Sequence, residues 1–309
     1  MSKMIKTVAA RGRSLISGVV VGALAVATLV AAPATAGEGS FGWIYALDLQ
    51  PKGTLEFEQR LQLTRKQAAG TYDLWRSRTE LEYGLTDDIQ IAGYLNAYSV
   101  NAAGNYTNPL ACGSAASCTG GYAVPEDAGA SYRKTDIGGA SVEAIWRLSN
   151  PVVSPVGVGL YGELTRGKLA DEVEARLLLQ SNFLDDSLIV AANIVYEAEN
   201  IKFTGETSKE SMVDVLLGVS YRFAPRWTAG IEHRHHNDYA GHGLNQHTQR
   251  ADFIGPNLHY ATKEWWATAA YRRQIGGTCW EPGAAECSGG KVWDSHGRDE
   301  FIVKFGRPF

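Results

Sequence analysis

Residues able to bind metal or move protons cluster at Glu232-His233-Arg234-His235-His236-Asn237-Asp238, with His242 and His247 close behind. Histidine titrates near neutral pH and its neutral ring binds transition metals. Apolar and charged residues alternate through this region, which reads as a β-strand. Successive side chains of a strand point to opposite faces. Glu232, Arg234, His236 and Asp238 therefore share one face, and His233 and His235 share the other. His233, His235 and His236 are metal candidates only if the following loop folds back, and no metal or cofactor is expected. A hydrolytic triad needs a serine and an orienting acid or amide beside a histidine. Ser220 lies toward the opposite end of the preceding strand, and the chain has no G-x-S-x-G, H-E-x-x-H or H-x-S-N motif. No catalytic residue is assigned.

A second set of charges recurs at every other position of extended stretches. It comprises Glu56, Glu58 and Arg60; Arg76, Arg78, Glu80 and Glu82; Glu143; Glu163; Glu172, Glu174 and Arg176; Glu197 and Glu199; Glu232 and Arg234; Arg272; and Lys304. Apolar residues fill the intervening positions, as Trp75, Leu81 and Tyr83 do between the second group. Period two puts one set on each side of a sheet. Apolar residues outside and charged residues inside suit a sheet closed in lipid around a polar lumen. Such charges can select ions by replacing part of their hydration, or they can pair across strands and close the space.

The elements that would position these residues are twelve strands, at about 54–66, 71–83, 89–101, 133–149, 155–166, 171–182, 187–199, 210–223, 226–239, 249–261, 264–275 and 298–309. A tilted strand crosses a membrane in about 9–11 residues, so each is long enough. The third, tenth and eleventh separate their faces least cleanly. The connections alternate in length. Those at 85–88, 150–155, 184–186, 224–226 and 262–264 are short, whereas the other set holds every long one, including 101–132 and 276–297. This sorting fits periplasmic turns and extracellular loops. Trp75, Tyr83, Trp146, Tyr221, Phe223, Trp227, Tyr260, Trp265 and Trp266 fall at strand ends, where interfacial aromatic girdles are expected. The fold expected is all-β: a transmembrane antiparallel up-and-down β-barrel of about 12 strands.

Residues 1–36 read as a cleaved signal peptide. Lys3, Lys6, Arg11 and Arg13 precede an apolar run to Ala32, and Ala34-Thr35-Ala36 offers a cleavage site. A retained membrane anchor is the alternative, since the run approaches spanning length. The domains are then the leader, 1–36, and the barrel, 37–309. Losing the leader removes four positive charges and no acid, taking the net charge from −4 to −8. An acidic chain argues against nucleic acid as a partner. Export to an oxidising compartment makes disulfides the reading for Cys112 with Cys118 and Cys279 with Cys287, since neither pair has zinc-site spacing.

The segments Tyr45-Ala-Leu-Asp-Leu-Gln-Pro-Lys-Gly-Thr-Leu-Glu-Phe-Glu-Gln59, Arg78-Thr-Glu-Leu-Glu-Tyr-Gly-Leu-Thr-Asp-Asp88, Gly255-Pro-Asn-Leu-His-Tyr260 and Lys263-Glu-Trp-Trp-Ala267 resemble an uncharacterised family of proteobacterial outer-membrane β-barrels, a domain of unknown function. The resemblance implies a barrel in the Gram-negative outer membrane and carries no site residues. Phe309, ending an alternating strand with Phe301, Val303 and Phe305, resembles the signal read by the barrel-assembly machinery. The expected surroundings are outer-membrane lipid and lipopolysaccharide. The leading expectation is a porin-like conduit for small polar solutes. A sealed structural or surface-interaction barrel is the alternative, and an outer-membrane lipid hydrolase using the histidine strand is a second.

Overall fold

The computed structural model describes residues 39–104, 131–202, 208–280, 287–293 and 296–309. The expected leader and the Cys112/Cys118 pair lie outside the described residues. The strands are β1 (Leu55–Arg65), β2 (Thr71–Thr86), β3 (Ile89–Ala103), β4 (Ser131–Ser149), β5 (Gly157–Gly167), β6 (Ala170–Phe183), β7 (Leu188–Ile201), β8 (Ser208–Ala224), β9 (Trp227–Ala240), β10 (Gln246–Ala261), β11 (Trp266–Cys279), β12 (Cys287–Ser288), β13 (Lys291–Val292) and β14 (Asp299–Pro308). Twelve of them form one closed antiparallel barrel in sequence order. The short β12 and β13 pair only with each other, in the loop before β14. Pairing β14 with both β1 and β11 closes the ring and leaves no free edge.

The two faces are inverted relative to a soluble protein. On β2, Trp75 and Leu81 are 48% and 54% exposed, whereas Glu80 and Glu82 are 1% and 0%. Leu95, Val142, Leu164, Val173, Leu217 and Val303 continue the apolar outer surface around the barrel. An apolar band of this extent requires a lipid surround. No helix among the described residues is long and apolar enough to cross a membrane.

Turns of two to seven residues join the strands at one end, here the short-turn end. The β3 and β4 ends at Ala103 and Ser131 and the β11 and β14 ends at Cys279 and Asp299 lie at the other, the long-loop end. Two expectations need correction. Trp266 does not join the interfacial girdle. It shares the inward parity of Thr268, Ala270 and Arg272 on β11, is buried, and its indole N–H donates to Glu56 Oε1 at 2.8 Å. The lumen wall is also less polar than its charge rows imply. Ile145, Leu178, Val195, Leu216 and Ile302 all point inward and are buried, because a segment ahead of β1 occupies the space they face.

Candidate functional site: the occupied lumen

Residues 40–50 have no strand partner and form a finger inside the short-turn half of the barrel. The finger enters where Ser40 Oγ lies 2.7 Å from Ser220 Oγ on β8. Its tip meets β9 and β7 near mid-barrel. Glu232 accepts the N–H groups of Gly42 (2.6 Å) and Trp43 (2.9 Å), and Asn193 both accepts from and donates to the Tyr45 backbone. The return leg passes Gln180 and Gln90, which accept from Leu47 N and Gln50 N. It leaves beside the β2 end, with Gly53 N donating to Gly84 O. A buried backbone without a strand neighbour must find other partners for its amides. Here side chains of the wall supply them.

The same finger explains the inward apolar residues. Phe41, Trp43 and Ile44 pack against Ala191, Val195, Leu216, Ala270 and Ile302. Tyr45, Leu47 and Leu49 pack against Ile145, Tyr161 and Leu178. Gly218 on β8 is required by this fit, since a Cβ there would stand 2.5 Å from Ile44 and 2.6 Å from Phe41.

Several of the expected lumen charges hold the tip. Arg78 donates to Glu80 (2.7 Å), Glu143 (2.7 Å) and the Tyr45 hydroxyl (2.9 Å). The Arg176 guanidinium lies 4.7 Å from the Tyr45 ring centre and is paired with Glu174. Arg272 is paired with Glu300 and stands 4.2 Å from the Trp43 ring centre. These contacts combine ion pairing with cation–π attraction. Nearer the short-turn end, Glu82 accepts from Gln90 Nε2 and Glu58 is buried, while Lys304 lies over the Trp266 ring.

Beyond the finger the remaining charges separate by sign. Arg60 stands opposite Arg78 in the β1–β2 register, with Arg76 one step further toward the long-loop end of β2. Glu172 faces Glu199 and Glu174 faces Glu197 across β6 and β7, and Glu163 pairs in register with Glu174. In a ring of twelve, β1 and β7 are diametric. At this level Arg60 and Arg76 on β1 and β2 therefore lie across the lumen from Glu172 and Glu199 on β6 and β7. Like charges set directly opposite in a sheet are destabilising, and ion pairs offset part of this cost here, Arg78 with Glu80 and Glu143 and Arg176 with Glu174.

At the long-loop end the described residues of the segment joining β11 to β14, 287–293 and 296–298, roof part of the lumen. The Cys279–Cys287 disulfide, with Cα atoms 5.8 Å apart, braces it. Val292 turns inward onto Ala251 and Phe253. Gln274 bonds both backbone groups of Val292, and Gln67 donates to Trp293 O at 2.6 Å.

The histidine strand divides as its parity requires. His236 faces inward between Asp214, 2.7 Å from Nδ1, and Asp238, 2.7 Å from Nε2, with Arg234 paired to Asp214. His233 and His235 face outward and share Asp252, at 3.4 and 2.8 Å. The three metal candidates do not converge. His296, from the roofing segment, joins His236 instead, with ring centres 4.5 Å apart. Ser220 is engaged with Ser40 and stands six strand residues from Asp214, the register partner of His236, so it is not brought to that histidine.

Residues 33–309 match the model of a family of unknown function, DUF6662. The chain belongs to this family. A search of curated proteins finds no match. Among solved structures, the DUF6662 chain is similar to the COG4313 outer membrane channel from Pseudomonas putida F1, with a TM-score of 0.58 at 11% identity over 84% of this chain and 97% of that one. It also aligns with the NanC porin (TM-score 0.48, 9% identity, 82% and 98% covered) and the KdgM porin (0.44, 11%, 82% and 99%). The first likeness agrees with the fold: a closed barrel of the outer-membrane type.

In this DUF6662 barrel Glu58, Glu80, Glu82, Glu143, Glu174, Glu232, Arg272 and Lys304 are buried while Arg76 is exposed, and sequence reasoning missed the finger and His296. The signal for the finger was present. Phe41, Trp43, Tyr45, Leu47 and Leu49 alternate at period two in a stretch ahead of the first strand, with Ile44 added between them, and the inward parity of Leu178 and Leu216 shows where such residues dock. Asp48 on the return leg belongs to the same site. Burial pushes its carboxyl up to about 6, opposed by a hydrogen bond from Gln180 and by Arg147.

Proposed function

We propose that this protein is a porin-like conduit for small polar solutes in the Gram-negative outer membrane, with residues 40–50 as its gate. The observation that carries this reading is how the finger is held. All twelve staves are paired with one another, and the finger is fixed by side chains of the wall. Its withdrawal breaks no strand pairing, so the barrel can open without unfolding. The charged rows beyond it support a path for charged or zwitterionic solutes, because fixed charges bias which species enter. Of the eighteen charged residues expected to face the lumen, eleven are acids and seven are bases, which favours cations. The reading involves no covalent chemistry. The outer band would contact lipid and lipopolysaccharide, and Phe309, exposed just after β14, would serve assembly.

Planar-bilayer recording tests the proposal. The chain from Gly37 should give small, intermittent, cation-selective steps, and a variant beginning at Gly53 should give larger and steadier ones. A correctly folded Gly53 variant that passes no current would refute the conduit. The depth to which the finger is buried favours a second reading, a barrel kept sealed, and that result would select it.

A further inference from the structure

We propose that His236, Asp238 and His296 form a transition-metal site that ties the roofing segment to the barrel wall. One ligand atom from each of the three lies within 4.8 Å of the other two. Asp238 Oδ2 is 2.7 Å from His236 Nε2 and 3.8 Å from His296 Nε2. Bonds of about 2.0–2.2 Å to a tetrahedral zinc-type ion place ligand atoms roughly 3.3–3.5 Å apart. His236 and Asp238 need to part slightly and His296 to approach slightly. His296 lies outside the strands and can approach by a shift of its segment, whereas His236 and Asp238 part by side-chain rotation on β9.

The donor chemistry is specific. Two imidazoles and one carboxylate suit zinc and its neighbours in the first transition row, and suit magnesium or calcium poorly. A fourth position is left for water or a solute donor. The second shell is also in place. Asp214 Oδ1 and Arg234 Nη2 lie 2.7 and 2.8 Å from His236 Nδ1; a proton on Nδ1 donated to Asp214 leaves Nε2 as the ligating atom and turns Arg234 to its bond with Asp214 Oδ2. Gln249 Nε2 donates to Asp238 Oδ2 at 2.6 Å and fixes its orientation. Arg234 and Arg272 are each already paired with an acid, Asp214 and Glu300. With both histidines neutral, the acids Asp214, Asp238 and Glu300 exceed these two arginines by one negative charge, so a divalent cation is not repelled. Occupancy would hold the segment after Val292 inward from one side, while the Cys279–Cys287 disulfide braces it from the other.

The test is a titration of the folded full-length barrel in detergent with Co²⁺, read by its visible d–d absorption, and with Zn²⁺, read by calorimetry. One ion should bind per chain, with the absorption of a tetrahedral site. His296→Ala and Asp238→Asn should each abolish that band or weaken binding at least tenfold. Asp214→Asn should weaken it by roughly 10- to 100-fold, as loss of a second-shell partner does. His233→Ala/His235→Ala on the outer face should change nothing. Heat-modifiable migration establishes that each variant is folded, and His296, which lies outside the strands, makes the cleanest substitution. Absence of binding by the parent chain would overturn the proposal. So would binding that persists unchanged in both His296→Ala and Asp238→Asn, or that disappears with His233 and His235.

Discussion

Replacing Glu232 by alanine should release the finger without opening the barrel wall. The carboxylate is buried on β9 and accepts two backbone N–H groups of the tip, from Gly42 and Trp43. Hydrogen bonds to a charged acceptor contribute about 1.5–3 kcal/mol each. Asn257 also donates to Glu232 at 2.9 Å, and its side chain can turn into part of the vacated space. The docked form should therefore lose roughly 2–4 kcal/mol rather than the full sum. At about 1.4 kcal/mol per factor of ten, the undocked population rises roughly 30- to 700-fold. Hydrogen exchange read by mass spectrometry measures this directly, because the amides of 42, 43, 45, 47 and 50 are protected only while docked. Exchange in peptides covering 40–50 should accelerate by that factor, with the amides of β7 and β8 unchanged as an internal reference. Glu232→Gln keeps one acceptor and should show a smaller effect. Unchanged protection of 40–50 in Glu232→Ala would mean that the finger is held by packing alone and that the reasoning from its polar contacts is wrong.

Three further outcomes follow from the same geometry. Gly218→Val should displace the tip by steric conflict, since even a Cβ there meets Ile44 and Phe41 within 2.6 Å. The variant should retain heat-modifiable migration while exchange in 40–50 rises at least tenfold, and a finger that stays protected would contradict the fit described. Docking should also depend on pH through Asp48, held near 6 in the docked form by burial and returning to about 3.9 when released. A carboxyl raised in this way favours docking when protonated. Docking should be strongest below about pH 4, weaken as the pH rises to 6, and change little above that. Asp48→Asn should abolish the slope, and an unaltered profile in that variant would assign it to another group. Leu178→Asn places a polar group among Tyr45, Leu47 and Tyr161 and should raise exchange on the return leg more than at the tip.

The barrel was legible because each stave carries its own instruction. On β2 and β8 apolar and polar residues alternate over a full crossing, and period two needs no distant partner to be read. Loop lengths that alternate around the ring then place the ends of the strands. The finger alternates in the same way at Phe41, Trp43, Tyr45, Leu47 and Leu49, yet it pairs with no strand, so its local pattern does not tell where it goes. It is a single extended segment whose partners, Gln90, Gln180, Asn193, Ser220 and Glu232, are scattered over five strands and up to 190 residues away. Its trace in the wall, inward Leu178 and Leu216 among charged neighbours, breaks the alternation and so weakens the very signal used to find the strands. His296 was hidden for a similar reason. It pairs with β9 through a loop fold, and spacing along β9 could only say that His233 and His235 would not do so.

The central claim is that a removable finger controls a path through the lumen, and a reversible lock tests it most directly. Ser40 Oγ and Ser220 Oγ stand 2.7 Å apart. Cysteines at these two positions can therefore form a disulfide, whose sulfurs bond at about 2.05 Å on longer arms. Conductance of Ser40→Cys/Ser220→Cys should fall to the baseline when oxidised and return on reduction. The parent chain, given the same reductant to open Cys279–Cys287, should show no comparable rise. Equal current in the oxidised and reduced states, with the cross-link confirmed by mass spectrometry, would contradict the account.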